Sequence, residues 1–82
     1  MKFMDVHSGM KGITREQLAA EHAKDLDVQQ GSEVRFTHAW ADPVSGKVFC
    51  TSEGPSLEEV KRVHAEAGHP ADEIYEVPVE TE

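Results

Sequence analysis

Residues 33–53 read EVRFTHAWADPVSGKVFCTSE, and the reading of this stretch decides the fold. Glu33 to Asp42 alternates as a strand. Val34, Phe36, His38 and Trp40 fall on one face and Arg35, Thr37, Ala39 and Ala41 on the other, because successive strand side chains point to opposite sides. Pro43 and Gly46 in DPVSGK supply turn chemistry, and Lys47 to Glu53 returns as the next strand. The centre of the chain is therefore an antiparallel hairpin.

Working outward toward the N-terminus, Thr14 and Gln17 have capping-box spacing, so a helix begins there and runs through REQLAAEHAKDLDVQQ to a stop at Gly31. Before it, two glycines in SGMKG break a first strand over Phe3 to Ser8. Toward the C-terminus, GPS interrupts the hairpin's second strand. Ser56 and Glu59 form a second capping box, and SLEEVKRVHAEAG is a helix closed by Gly68. HPAD is a turn, and Glu73 to Glu80 is a last strand, which Pro78 confines to a sheet edge or to the strand's end. The acidic ETE tail is expected to fray.

Strand, helix, strand, strand, helix, strand is the split βαβ, ferredoxin-like α+β order. It predicts a four-stranded antiparallel sheet with both helices on one face, and right-handed crossovers leave few alternatives. Eighty-two residues make a single domain, 1–82. So short a chain has a thin core. Apolar and aromatic residues fall on both strand faces, so a homodimer packed through the sheets is the expected cover for the open one.

The composition narrows the partners. Sixteen acidic residues against eight basic ones give a net charge of −8, which argues against nucleic acid or an anionic membrane and favours cations. No apolar run approaches the roughly 18 residues of a membrane span. The N-terminus lacks an apolar h-region, so no signal peptide is expected and the cytoplasm is the default location. Cys50 is the lone cysteine, which excludes an intramolecular disulfide and any Cys-x-x-Cys metal pattern. GPSLEEV is no phosphate loop, and no nucleophile elbow is present.

Five histidines remain to be placed, and neutral imidazole is the commonest metal ligand. Asp5 and His7 sit two apart on the first strand, on one face with Phe3, and side chains so spaced lie ~6.5–7 Å apart along the strand, near enough to converge on one ion. His38 shares its expected face with Phe36 and Trp40. On the first helix Leu18, Ala19, Ala23 and Leu26 form the expected apolar stripe, with His22 inside it; Asp25, three residues on, is a neighbouring carboxylate. On the second, Leu57, Val60, Val63 and Ala67 form the stripe, with His64 close to Leu57. The structural reading of a helical histidine on such a face is a half-buried ring bonded to a carbonyl or carboxylate. Cys50 reads as a small buried hydrophobe; as a nucleophile it would need a histidine in reach, and His64 is the helical candidate nearest in sequence.

Taken together, KFMDVHSGMKGITREQLAAEHAKDLDVQQ and VRFTHAWADPVSGKVFCTSEGPSLEEVKRVHAEAGHPADEIYEVPVE resemble a family of small, ferredoxin-like, dimeric nickel-binding proteins of actinobacterial type, and the resemblance covers nearly the whole chain. It implies Ni²⁺ binding on a homodimer, for sequestration or detoxification, without enzymatic activity. The resemblance names no ligands, so chemistry ranks them: Asp5 with His7 first, His38 next, then His22 and His64, and His69 last. A histidine–carboxylate site that takes Ni²⁺ should take Cu²⁺ more tightly. The competing expectation is a small dimeric enzyme with a pocket lined by His7, Trp40, Cys50 and His64.

Overall fold

The computed structural model describes residues 1–68 and 70–82, so His69, ranked last among the ligand candidates, lies outside the described residues. The elements are β1 (Lys2–His7), α1 (Arg15–Val28), β2 (Arg35–Asp42), β3 (Lys47–Glu53), α2 (Leu57–Glu66) and β4 (Glu73–Glu76). They form one antiparallel sheet in the order β2-β3-β1-β4, with the helices across one face: the ferredoxin-like arrangement that the hairpin and its flanks predict. β4 is shorter than expected, ending two residues before Pro78, whose missing N–H cannot extend a ladder.

Both helices start where their caps require. The Thr14 side chain accepts from the Gln17 N–H and the Gln17 side chain accepts from the Thr14 N–H, a complete capping box. Ser56 accepts from the Glu59 N–H, but the second box is only half made, because the Glu59 carboxylate turns to Arg62 instead. The SGMKG loop docks on the β2–β3 turn through Met10 N–H to Gly46 C=O (3.0 Å) and Gly12 N–H to Pro43 C=O (2.9 Å). Gly46 has φ +80°, and a Cβ there would lie 2.7 Å from the Lys11 nitrogen, so both conformation and close approach require glycine.

Two expected faces are corrected. In β2 the ladder pairs Phe36 with Ser52 and His38 with Thr51, leaving Thr37 as the extra residue of a bulge. Its hydroxyl bonds Thr51 across the strands. The bulge switches the alternation: Val34 and Phe36 point to the helices, then Ala39 and Ala41 do, and His38 and Trp40 turn to the open face. In α1, Ala19, Ala23 and Leu26 are exposed, while Leu18, His22, Asp25 and Val28 form the inward line. That line carries two polar residues, so hydropathy does not mark it.

The core has two apolar halves. Phe3, Val34, Phe36, Val60 and Val63 form one; Ile13, Val48 and Cys50, with Met10 and Leu18 packed on them, form the other. Between the halves runs a polar seam. Asp5, His7, Asp25 and His64 are all buried there.

Candidate metal centre

Asp5 lies on β1, an interior strand, where the pleat sends Phe3, Asp5 and His7 toward the helices. Its carboxylate is fully buried and faces an imidazole with each oxygen. His7 Nε2 lies 2.6 Å from Oδ2. His64 Nε2, from the last turn of α2, lies 2.9 Å from Oδ1. The far side of His64 meets Asp25 of α1, with Nδ1 3.7 Å from Oδ1. The far side of His7 meets the backbone of Pro70. That segment is drawn over β1 by Ser8, whose N–H and hydroxyl both donate to Asp72, and by Asp72 N–H to Val6 C=O. The His7 and His64 ring centroids are 5.3 Å apart, and His64 stands edge-on to Phe36 at 4.7 Å.

The electrostatics follow from burial and pairing. Burial alone would raise the Asp5 carboxyl, but the hydrogen bonds and charge of His64 and His7 outweigh it and hold the group below the ordinary carboxylate range. Burial would lower His7; the bond to Asp5, the charges of Asp5 and Asp25 and the Pro70 backbone raise it above its ordinary value instead. Cys50 opposes Asp5 in the β1–β3 register, and both side chains are buried. Burial first, then the charges of Asp5 and Asp25, push this thiol far up, so by itself it stays protonated and is not a nucleophile.

One donor atom each from Asp5, His7 and His64 can be chosen so that all lie within 4.8 Å of one another. Donors bonded to one ion at ~2.0–2.2 Å sit ~3–4 Å apart, so this group closes on a divalent ion with small side-chain shifts. Both imidazoles turn Nε2 to the one carboxylate, and His64 turns Nδ1 toward the outer carboxylate of Asp25, the kind of partner that orients histidine ligands.

The structure thus joins the first-ranked pair, Asp5 and His7, to His64. It does not bring His38 to them: the Thr37 bulge leaves His38 on the open face, stacked on Trp40 at 5.6 Å. His22 stands apart from the three as well. It lines a cavity of about 50 Å³ between α1 and the sheet, together with His7, Asp25 and Cys50, and its Nδ1 is buried without a hydrogen-bond partner among the described residues. Asp25 appears in the sequence only as a neighbour of His22. Its signal is spacing: it falls seven residues after Leu18, on the same side of the helix.

A family model described as nickel responsive protein SCO4226-like matches residues 3–77, a span that includes every residue of the seam. The crystal structure of SCO4226 from Streptomyces coelicolor A3(2) superposes with a TM-score of 0.95 at 57% sequence identity, over 99% of this chain and 100% of that one. A search of curated protein sequences finds no match.

Proposed function

We propose that this chain, which belongs to the SCO4226-like family of nickel-responsive proteins, binds Ni²⁺ as cargo through Asp5, His7 and His64 and serves to sequester excess nickel in the cytoplasm, without catalysing a reaction. One piece of geometry carries the reading. Two imidazole nitrogens face the two oxygens of a single buried carboxylate, in a protein whose net charge of −8 draws cations toward it. Imidazole and carboxylate both suit Ni²⁺. The same donors rank Cu²⁺ higher, so on this reading the preference for nickel lies in regulation. No described helix is long and apolar enough to cross a membrane. The cavity beside His7 holds about 50 Å³, too small for an organic ligand, whose pockets run to ~300–1,000 Å³, so the seam itself suits an ion.

Calorimetric titration of metal-free protein with Ni²⁺ at neutral pH tests the assignment. Binding is expected in the parent and in His38→Ala, and is expected to be lost in His7→Ala and in His64→Ala. Binding that survives in both of the last two would move the site elsewhere.

The same proposal includes a homodimer. The open sheet face carries Met4, Val6, Phe49, Trp40 and Tyr75, the last two about half exposed at 51% and 53%. A contiguous apolar face of this kind marks an association surface, and a second copy presents its match. Light scattering should give the mass of a dimer for the parent and of a monomer for Trp40→Asp; a monomeric parent would remove the dimer from the proposal.

A further inference from the structure

We infer that Ni²⁺ reaches the buried Asp5–His7–His64 centre through a passage between the SGMKG loop and α1, in which Glu21 and His22 receive the ion and hand it to His7. The inference rests on the proposed nickel reading and adds to it the path by which the cargo loads.

The seam is shut to solvent. Asp5, Asp25 and His64 are sealed, and His7, at 7%, is the most open of the four. An ion therefore needs a way in. A surface depression of about 340 Å³ lies between the loop and the first turns of α1, walled by Met10, Ile13, Gln17 and Glu21 among others. The cavity of about 50 Å³ bordered by His7, His22 and Asp25 adjoins it. The two share Met10, Ile13 and Glu21, which form the neck between outside and inside. Of the three proposed ligands, His7 borders the inner cavity, so it is the one an entering ion meets first.

The side chains along the passage suit a dication in transit. Leu18, Glu21, His22 and Asp25 all border the inner cavity and follow one another at the i, i+3, i+4, i+7 spacing of a single helix face. A face that only packed would be apolar throughout; this one places three metal-ligating groups in a row. Glu21 stands at the neck with 35% of its side chain exposed, paired at 3.3 Å with a Lys24 more exposed still. Exposed pairs of this kind are weak, so an arriving dication takes the ammonium's place. Lys11 borders the outer depression too, but it is exposed and its charge is screened by salt. Inward of the neck, the Glu21 and Asp25 carboxylates line a low-dielectric cleft, and a cleft lined by one sign of charge concentrates ions of the other. The half-buried His22 adds an imidazole whose Nδ1 has no hydrogen-bond partner among the described residues, a donor atom for an ion on its way inward. Met10 is the movable wall: its backbone N–H is tied to Gly46 C=O at 3.0 Å, while its unbranched thioether chain adapts to what passes.

Loading kinetics provide the test. Metal-free protein is mixed rapidly with Ni²⁺ and a colorimetric nickel indicator to give the uptake rate, and loaded protein is mixed with excess chelator to give the release rate. Glu21→Gln removes the charge at the neck; His22→Phe keeps a ring's bulk and removes both nitrogens. A group used in transit alone changes uptake and release by the same factor. Both rates are therefore expected to fall together while Kd stays at the parent's value, by ~10-fold for Glu21→Gln, the low end of what a charged cleft adds to an on-rate. If His22→Phe fails to fold, Glu21→Gln decides alone, since Glu21 is part-exposed and outside the apolar core. Parent-like rates in the variants would overturn the passage and leave the nickel proposal standing. A raised Kd with unchanged uptake would also overturn it, because the residue would then hold the ion and not convey it. No binding by the parent, measured by calorimetry on the same sample, overturns both.

Discussion

Asp5→Ala is expected to abolish nickel binding and to lower folding stability by about 3–5 kcal/mol. The Asp5 carboxylate faces both imidazoles of the seam, His7 at 2.6 Å and His64 at 2.9 Å. Removing it strands two buried imidazoles, and stranding the partners of a buried charge costs far more than the pair contributes net. A domain of this size is typically stable by only ~5–15 kcal/mol, and each kcal/mol moves the melting temperature by roughly 4–8 °C, so a drop on the order of 20 °C is expected. Asp5→Asn separates the two effects. The amide keeps the shape and one acceptor, so stability should fall by only ~1–3 kcal/mol, while an uncharged amide beside two imidazoles no longer holds Ni²⁺. Thermal melts and calorimetry on both variants check this. A stable Asp5→Ala with unchanged nickel affinity would show that the seam neither holds the core together nor binds the metal.

The fold was legible in the sequence because its punctuation is local. Two Ser/Thr caps, glycines at each helix end and a Pro–Gly hairpin loop are all read within four or five residues of themselves, and each sits where an element begins or stops. What was not legible depended on partners distant in sequence. The Thr37 bulge has no glycine to mark it; it exists because Thr37 finds Thr51 across the ladder, and it alone decides that His38 faces away from the site. Likewise Asp25 turns inward, against the apolar pattern of α1, because His64 waits there from a helix some forty residues later. The Asp5–His7 pair was visible because strand alternation places both on one face, whatever the rest of the chain does. The third member, His64, could be ranked but not joined to them, since α2 meets β1 only through the tertiary fold.

Acidity should stabilise the metal-free protein and undo the nickel-bound one, so their melting temperatures are expected to move in opposite directions with pH. In the metal-free chain, Asp5 is held below its unfolded value of ~3.9 and His7 above its unfolded value of ~6.5. The depressed carboxyl contributes stability that is present above pH ~3.9 and is lost as pH falls through its folded value. The raised imidazole contributes stability that is complete below pH ~6.5 and is lost as pH rises through its folded value. The pair therefore stabilises most between about pH 4 and 6.5, with Asp25 and His64 facing it from the two helices and Pro70 from the loop before β4. Nickel inverts the slope. A ligating nitrogen must have shed its proton, so protons compete with the ion, and the midpoint of the nickel effect should lie above ~6.5 because His7 holds its proton more tightly than a free imidazole does. At a hundredfold excess over Kd, a bound ion adds about 2.7 kcal/mol, a rise of roughly 10–20 °C for a domain this small. Melts recorded with and without Ni²⁺ should show that rise in full near pH 8 and little of it near pH 5. An equal rise at both would mean that the ion is held by carboxylates alone, and that His7 is a structural partner of Asp5 and not a ligand.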